Sequence, residues 1–255
     1  MQGNVDDRLE RMQELIIQVS DCLNSDSKIA VLTGSGISSE SGIPTFRGKN
    51  GIWEQFRPEE LANFNAFIKN PLLVQSWYKH RREIIEKVQP NVGHYALAEL
   101  DDLVSDCWII TQNIDNLHQM SGSHHVVELH GNVFKNYCIE CGKRYDGIDL
   151  PKSVNSMYQC ECGGLIRPDV VWFGELLSET EQRKAEQYCQ ICQVLISIGT
   201  SGVVYPAAGL PFIARENGAF LVEINPEPTE LSSLMDIIIR QESGIVLPLI
   251  VESIR

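Results

Sequence analysis

Six short apolar runs, rich in β-branched residues, recur along the chain and are separated by longer segments with helical periodicity. They are residues 28–33, 107–111, 126–129, 194–198, 220–224 and 237–239. Each run is continuously apolar rather than alternating, which is typical of parallel strands buried on both faces. The pattern predicts an α/β fold with a doubly wound, Rossmann-like parallel sheet, whose ligand loops follow the carboxyl ends of the strands.

Two stretches interrupt this alternation and predict a second, smaller domain with a helical part and a cysteine-rich part. Residues 45–89 indicate a loop and then a helix that Pro71 can open. We expect one apolar face of this helix to contain Leu73, Trp77, Ile84 and Val88. Residues 134–166 carry four cysteines and little apolar periodicity, so they need a metal ion or a cross-link to fold. The larger, Rossmann-like domain would consist of residues 1–44, 90–133 and 167–255.

The charge of the chain limits its partners. Its 255 residues carry a net charge of −13, and 43% of them are hydrophobic, enough for a sizeable core. The acidity disfavours nucleic acid and anionic membrane surfaces and favours a cationic protein partner. No apolar run reaches the roughly 20 residues of a membrane-spanning helix. The acidic N-terminus resembles neither a signal peptide nor a transit peptide. We therefore expect a cytoplasmic protein without nucleic-acid or membrane partners. We also expect a monomer.

Four of the eight cysteines are spaced as metal ligands. Cys138 and Cys141 form a C-x-x-C pair, and after 18 residues Cys160 and Cys162 form a C-x-C pair. Two close pairs of thiolates predict a tetrahedral structural zinc site, which leaves no open position for catalysis. Unlinked thiols and disulfides are the alternatives. We call residues 134–166 the zinc module.

The other cysteines have no such arrangement. Cys189 and Cys192 are also spaced C-x-x-C, but no second pair accompanies them and their surroundings have helical periodicity. A free cysteine in such a position usually packs as a small hydrophobic residue. We interpret this pair, together with Cys22 and Cys107, as part of the core.

Glycines follow several of the predicted strands. The first strand runs directly into Gly34-Ser-Gly, where backbone amides can approach a phosphate. The third glycine of the common dinucleotide fingerprint is replaced by Ser39, and no Gly-Lys-Ser/Thr follows, which excludes a P-loop. Gly199-Thr-Ser and Asn225 also follow predicted strands. Each such turn is ordinary by itself, but three of them on one sheet favour a dinucleotide.

Polar residues that could carry chemistry follow two further strands. Thr-Gln-Asn-Ile-Asp occupies residues 111–115, and His130 with a glycine follows the run at 126–129. A lone histidine is usually structural, but one at the carboxyl end of a strand is a candidate general base. A Ser-His-Asp hydrolase is a rival interpretation, although the chain contains no Gly-x-Ser-x-Gly.

Taken in order, these motifs resemble the sirtuins, the NAD-dependent protein deacylases, from about residue 28 to residue 250. The matching blocks are residues 34–38, 42–48, 111–115, 130–131, the four zinc-module cysteines, 171–175, 199–201 and 222–225. One departure is Ser35, where the family usually has alanine, and we expect this small residue to preserve NAD binding. The resemblance implies an enzyme that consumes NAD, removes acyl groups from protein lysines, and releases nicotinamide and O-acyl-ADP-ribose.

The resemblance also implies roles for individual residues. NAD would be bound by Gly34, Ser35, Gly36, Phe46, Arg47, Gln112, Asn113, Ile114, Asp115, Gly199, Thr200, Ser201 and Asn225. The nicotinamide would occupy a pocket formed by residues 113–115, Asn113 would also serve catalysis, and His130 would be the general base. The substrate peptide would add as a strand along Phe173, Gly174, Glu175, Val203 and Tyr205.

The nature of the acyl group is indicated by Tyr78 and Arg81, which lie three residues apart and share a helix face. This Tyr-x-x-Arg resembles the signature of class III sirtuins, which accept succinyl, malonyl or glutaryl lysine, and Ala62 matches their small pocket residue. A hydroxyl and a guanidinium can bind one carboxylate together, and acetyl would be a secondary substrate. The simpler alternative is a solvated basic helix face. By geometry alone Arg82 would serve as well, and only the family pattern selects Arg81.

Two other functions are compatible with an NAD site. One is a mono-ADP-ribosyltransferase, which would transfer ADP-ribose to protein without freeing a lysine. The other is a non-catalytic NAD-sensing module that regulates a partner. The joint presence of Asn113, Asp115 and His130 argues against a sensor, because a sensor needs no base.

Overall fold

The computed structural model describes residues 3–47, 51–55, 57–147, 149–153 and 156–255, so Gly48 of the second motif lies outside the described residues. The strands in these ranges are β1 Lys28–Thr33, β2 Asp106–Thr111, β3 Val126–Glu128, β4 Gly131–Cys138, β5 Arg144–Asp146, β6 Ile166–Val170, β7 Val194–Ile198, β8 Phe220–Ile224 and β9 Ile237–Ile239. The α-helices are α1 Gly3–Asp21, α2 Ser35–Ser39, α3 Ile52–Gln55, α4 Pro58–Leu61, α5 Phe64–Lys69, α6 Pro71–Ile85, α7 Val92–Leu103, α8 Leu117–Met120, α9 Glu179–Ile191, α10 Leu210–Glu216 and α11 Ser243–Ile254. None of these helices is both long and apolar enough to cross a membrane.

A six-stranded parallel sheet forms the larger part of the fold. Its strand order is β3-β2-β1-β7-β8-β9. The chain builds outward from β1 to β3 and then returns to β7 to build the other half. Because the strand order reverses between β1 and β7, a ligand crevice is expected outside the carboxyl ends of these two strands. The prediction of a doubly wound sheet is confirmed, and all six predicted runs are strands.

Helices cover both faces of this sheet. Ile29 and Val31 of β1 belong to a core that includes side chains of α1, α7 and α11. Ala30 and Leu32 belong to a second core that includes side chains of α9 and α10. Successive residues of a strand point to opposite faces. Burial of both faces therefore explains why the run is continuously apolar.

The cysteines outside the zinc module lie in or beside these two cores. Cys107, Cys189 and Cys192 are buried, and Cys22 is partly buried against the first core. Burial raises the pKa of the Cys192 thiol to about 11 and also raises that of Cys189. Thiols with raised pKa values are poor nucleophiles at neutral pH. The interpretation of these cysteines as core residues is confirmed.

The two predicted insertions pack together as a second, smaller unit. Strands β4, β5 and β6 form an antiparallel sheet in the order β5-β4-β6. Side chains of α5 and α6, together with Ala62 just after α4, share a buried cluster with this sheet, although they lie between β1 and β2 in sequence. Strand β4 already begins at Gly131. The domain boundaries themselves stay a prediction.

Helix α6 begins as predicted, but its buried face differs from the predicted one. Pro71 is its first residue, and Asn70 caps it by accepting a hydrogen bond from Leu73 N (3.3 Å). Trp77 and Val88 do pack against the core, whereas Leu73 is 48% exposed. The buried positions of the helix are Val74, Gln75, Tyr78, Arg81, Arg82 and Ile85. The prediction failed because three of these are polar or charged.

Two histidines are buried close to the carboxyl end of β1. The rings of His94 in α7 and His118 in α8 lie 4.9 Å apart. His118 Nε2 is 3.0 Å from Thr33 Oγ1, and Asn91 N donates to His94 Nδ1 (3.4 Å). Burial lowers the pKa of His94 to about 4 and holds that of His118 well below its ordinary value. Both rings are therefore neutral in the folded protein at pH 5 to 7.

We predict that the protein loses stability as the pH falls below about 6.5, the ordinary pKa of histidine. Below that pH the unfolded chain binds a proton at His94 that the folded chain does not bind until about pH 4. His94→Gln should therefore reduce the fall in unfolding free energy between pH 7 and pH 5 by about 2 kcal/mol. Urea denaturation of both proteins at the two pH values measures this difference, and an unchanged fall would contradict the prediction.

Candidate active site

The loops after β1 and β7 touch each other backbone to backbone at the carboxyl edge of the large sheet. Gly34 N donates to Ile198 O (3.0 Å) and Gly36 N donates to Gly199 O (2.9 Å). A Cβ at Gly36 would lie 2.5 Å from the Cα of Gly199, so no side chain fits there. Gly199 itself has a φ of +56°, which favours glycine. The glycines therefore let two loops meet without side chains between them.

A cleft of about 760 Å³ runs along this edge, within the range of roughly 300–1,000 Å³ usual for ligand sites. It is lined by the predicted site residues Gly34, Ser35, Gly36, Phe46, Arg47, Ala62, Tyr78, Gln112, Asn113, Ile114, His130, Phe173, Gly174, Glu175, Gly199, Thr200, Ser201, Val203, Tyr205 and Asn225. Among the described residues predicted for cofactor and substrate, Asp115 and Arg81 do not line it. The fold thus gathers residues from distant parts of the sequence into one site.

Asp115 is buried and acts on the cleft through hydrogen bonds. Its two carboxylate oxygens accept from Ser38 Oγ (2.7 Å) and Leu117 N (3.0 Å). Asn113 Nδ2 in turn donates to Ser38 Oγ (3.1 Å) and to Gly34 O (3.0 Å). Burial raises the pKa of Asp115, and its hydrogen bonds act in the opposite direction. Asp115 therefore fixes Ser38, and Ser38 helps to fix the Asn113 amide at the cleft wall.

His130 stands between the two sheets, directly before β4. Its Nδ1 lies 3.1 Å from Gln112 O. Because a carbonyl oxygen only accepts, this contact places the ring proton on Nδ1 and leaves the lone pair on Nε2. Burial lowers the pKa of His130, and the bond to Gln112 partly opposes that shift. The neutral ring is the form that can take up a proton.

Tyr78 brings a hydroxyl to the cleft wall from the buried face of α6. Its oxygen accepts a hydrogen bond from Trp172 Nε1 (2.8 Å). Burial raises the pKa of Tyr78, so the hydroxyl keeps its own proton and can donate it. Ala62, which also lines the cleft, presents only a methyl group. This end of the cleft therefore combines free space with a hydrogen-bond donor.

Arg81 lies behind the cleft wall rather than on it. It is 5% exposed, its guanidinium carbon is 5.0 Å from the centre of the Phe46 ring, and Nη2 donates to Pro44 O (3.2 Å). Its Nε is buried without a hydrogen-bond partner among the described residues. Burial lowers the pKa of Arg81 to about 10, so the group stays charged at neutral pH. Arg82 is directed elsewhere, since its Nη1 donates to Val133 O (3.3 Å) on β4.

Sequence reasoning missed an aromatic wall of the cleft. Trp53, Trp77 and Trp172 all line it, and the rings of Trp53 and Trp77 lie 6.3 Å apart at an angle of 15°. These are three of the four tryptophans of the chain. Their wide separation in sequence gives no signal that they meet, although their rarity makes each one a candidate for a site.

Sequence reasoning also missed Arg167, which binds the cleft residue Glu175. It is 2% exposed, and both Nη atoms donate to the carboxylate of Glu175, Nη2 at 2.9 Å. The same carboxylate accepts from Trp172 N (2.8 Å), while the Arg167 guanidinium lies 3.4 Å from the centre of the Trp172 ring. The Glu175 carboxylate therefore holds the loop that carries Phe173 and Gly174.

Three of the residues predicted to contact a peptide expose apolar surface in the cleft. Phe173, Val203 and Tyr205 are 43%, 44% and 70% exposed. Phe173 N donates to Ala62 O (2.9 Å), which ties the loop to the helical part of the smaller unit. Exposed apolar side chains beside a cleft are typical of a surface that binds another chain.

The four zinc-module cysteines form one cluster, as predicted. Their sulfur atoms all lie within 4.8 Å of one another, with Cys138 and Cys162 at 3.5 Å and Cys141 and Cys160 at 3.6 Å. Disulfide sulfurs would be about 2.05 Å apart, whereas four thiolates around zinc at about 2.3 Å are separated by about 3.8 Å. The cluster therefore fits a tetrahedral zinc ion. None of the four lines the cleft, which suits a structural metal.

Comparison with known proteins places these features in a family. The family model described as the Sir2 family matches residues 34–206. The chain is 48% identical over 239 residues to NAD-dependent protein deacylase 2 of Pyrobaculum aerophilum, covering 94% of this chain and 96% of that protein. It is 48% identical over 230 residues to the NAD-dependent protein deacylase of Aquifex aeolicus, covering 89% and 95%.

Solved structures agree with this match. A Sir2 homologue in complex with NAD superposes with a TM-score of 0.83 at 40% identity, covering 96% of this chain and 93% of that chain. A Sir2 mutant with a deacetylated peptide and 3′-O-acetyl-ADP-ribose gives a TM-score of 0.85 at 35% identity, covering 94% and 99%. The resemblance to the sirtuins is confirmed: the chain belongs to the Sir2 family.

Proposed function

We propose that this protein consumes NAD to remove acyl groups from protein lysines and prefers acyl groups that end in a carboxylate, such as succinyl, malonyl and glutaryl. The general activity is supported by relatives at 48% identity that are named NAD-dependent protein deacylases. The preference rests on one observation above all. Arg81 is a buried cation against the cleft-lining Phe46 ring, its Nε has no partner among the described residues, and it shares its helix face with the Tyr78 hydroxyl. Arg82 Nε lacks a partner among the described residues as well, but that guanidinium is directed to β4.

NAD would occupy the part of the cleft formed by the glycine loops and the ends of β2 and β8. The glycines leave backbone groups open to a pyrophosphate, which is how many dinucleotide sites bind their ligand. Asn113 and Ile114 line the cleft where nicotinamide would enter, and Asn225 lines it after β8. When bound, NAD supplies the ribose carbon from which nicotinamide leaves. The individual roles of these residues stay proposals.

His130 would act as the general base. With Nδ1–H directed at Gln112 O, only Nε2 can accept a proton, and a ribose hydroxyl of NAD is the natural donor. The lowered pKa keeps the ring neutral at physiological pH, so it is ready to accept. Because the partner is a backbone carbonyl, the tautomer does not depend on the protonation state of another side chain.

The acylated lysine would enter beside the apolar residues Phe173, Val203 and Tyr205, with its peptide added as a strand. Main-chain hydrogen bonds of this kind place little demand on peptide sequence. The net charge of −13 favours lysine-rich protein partners. The cytoplasmic location and the monomeric state stay predictions.

The Tyr78 hydroxyl supports the acyl preference through its hydrogen-bond arrangement. Trp172 Nε1 occupies one acceptor position of the oxygen, and the hydroxyl proton is left to donate. A carboxylate at the end of the acyl group can accept this proton, whereas the methyl group of an acetyl cannot. Ala62, which lines the cleft with only a methyl group, would leave room for a four- or five-carbon acyl group.

Arg81 supports the preference through its charge. A buried guanidinium without an ion pair is costly, and a ligand carboxylate would lower that cost. Among the described residues, the acid that acts on it is Asp115, which raises its pKa. Because Arg81 lies over the Phe46 ring and Phe46 lines the cleft, a small movement of this ring would expose the guanidinium to the acyl carboxylate.

The double substitution Tyr78→Phe with Arg81→Met should lower kcat/KM for a succinyl-lysine peptide by about 100-fold, because it removes two hydrogen bonds to a charged group. Activity on the acetyl form of the same peptide should change by only a few fold. Mass spectrometry with and without NAD measures both reactions. Equal losses would contradict the acyl preference. Labelled ADP-ribose on protein, without free lysine, would favour an ADP-ribosyltransferase instead.

His130→Tyr should reduce turnover by at least about 100-fold, because general-base catalysis typically contributes 10²–10⁴-fold. NAD should still bind to the variant, since the glycine loops are unchanged. Calorimetric titration with NAD provides the binding control. Undiminished turnover in a variant that binds NAD would remove His130 from the mechanism.

On the acid side of the pH profile, kcat/KM should fall with a midpoint below the ordinary histidine pKa of about 6.5. The reason is that burial lowers the pKa of His130, so the neutral base persists to lower pH and is lost only when the pH falls through that lowered value. Measurement of kcat/KM for the acylated peptide at saturating NAD between pH 5 and pH 8 tests this. An acid limb above pH 6.5 would contradict it.

A further inference from the structure

Gln75 is a buried amide that has no part in the proposed chemistry. It is 3% exposed and lies on α6 almost one turn before Tyr78. Its Nε2 donates to Tyr158 O (2.9 Å) and Ile166 O (2.8 Å), and its Oε1 accepts from Tyr158 N (2.8 Å). Both amide hydrogens and the amide oxygen are thus engaged at short distances. A side chain satisfied in this way is fixed in one position.

The backbone groups that Gln75 binds belong to the zinc module. Tyr158 lies two residues before Cys160, and Ile166 is paired with Cys138 across β4 and β6. Ile166 N also donates to Tyr158 O (3.1 Å), so the two segments are joined beside Gln75. The backbone groups of Tyr158 and Ile166 that bind Gln75 are therefore held in position by the cysteine cluster that fits zinc.

A second polar anchor holds the other end of this helix face. Arg82 Nη1 donates to Val133 O (3.3 Å) and Asn136 Oδ1 (3.4 Å) on β4. Gln75 and Arg82 are seven residues apart, which places them on the same face two turns from each other. Tyr78 lies between them, and its hydroxyl is bonded to Trp172 just after β6. All three contacts join α6 to the small sheet or to the loop that follows it.

We infer that Gln75 is a positioning residue that holds α6 against the zinc module and thereby sets where Tyr78 and Arg81 stand relative to the acyl group. This inference rests on the proposed preference for acyl carboxylates. Two directed hydrogen bonds to one carboxylate tolerate displacements of well under about 1 Å. An acetyl group makes neither bond, so acetyl-lysine is insensitive to a shift of this helix.

The test compares Gln75→Met with Gln159→Met. Methionine keeps the length of the side chain and removes its hydrogen bonds. Gln159 is a matched control, because its side chain is partly exposed and bonds to backbone within the zinc module itself (Nε2 to Gly163 O, 2.6 Å). For each protein we would measure amide hydrogen exchange of residues 71–85, NAD affinity, and KM and kcat on succinyl and acetyl peptides.

For Gln75→Met we expect exchange in α6 to accelerate by about tenfold, because it leaves buried backbone groups without partners. KM for the succinyl peptide should rise about tenfold, while KM for the acetyl peptide and NAD affinity stay within about twofold. Gln159→Met should behave as the unchanged protein. Unchanged exchange in α6, or equal increases in both KM values, would overturn the inference. A general loss of stability alone would not change the ratio of the two KM values.

The same experiment separates this inference from the proposed function. If the unchanged protein shows no preference for the succinyl peptide, the acyl preference fails, and exchange in α6 still decides whether Gln75 holds the helix. Should Gln75→Met not fold, zinc can be withdrawn from the unchanged protein with a chelator. Exchange should then increase in residues 71–85 together with residues 134–166, and not in β1 or β7. Exchange confined to the zinc module would overturn the inference.

Discussion

The contact between the loops that follow β1 and β7 is the constraint on which the site depends. These are the central strands of the large sheet, and the backbones of Gly36 and Gly199 meet so closely that even a methyl group would collide. This contact fixes the floor of the cleft at the point where the strand order reverses. Every other group of the site is placed relative to that floor, because each is attached to a strand of the same sheet or to the unit that packs beside it.

Much of this arrangement could be predicted from the sequence, because the relevant signals are local. A continuously apolar run such as residues 28–33 indicates a strand covered on both faces. Parallel strands place their carboxyl ends at one edge, so the groups that follow them, such as His130, are expected to converge. The spacing of the four cysteines likewise carries its own geometry. In each case the signal itself is a short motif that can be recognised without knowing which distant segments pack against it.

The remainder depends on contacts between distant segments, which no local pattern records. The buried face of α6 contains Gln75, Arg81 and Arg82, and a rule that equates burial with apolar residues misplaces it. Strands β4 and β6 and neighbouring loops supply partners for Gln75 and for one Nη atom of each arginine, while the Nε of both arginines has no partner among the described residues. The pairing of Arg167 with Glu175 has the same origin: an ion pair eight residues apart is invisible until the strand and the following loop fold back on each other.

The polar face of α6 also has a consequence for biosynthesis. The helix ends at Ile85, whereas β4 begins at Gly131 and β6 at Ile166. At roughly 5–20 residues per second, the ribosome adds the last of these partners on the order of ten seconds after the helix has been made. During that interval the future core face of α6 has nothing to pack against. Since two guanidinium groups and an amide interrupt it, the nascent chain exposes a discontinuous apolar surface, which is a poorer nucleus for aggregation than an all-apolar helix face would be.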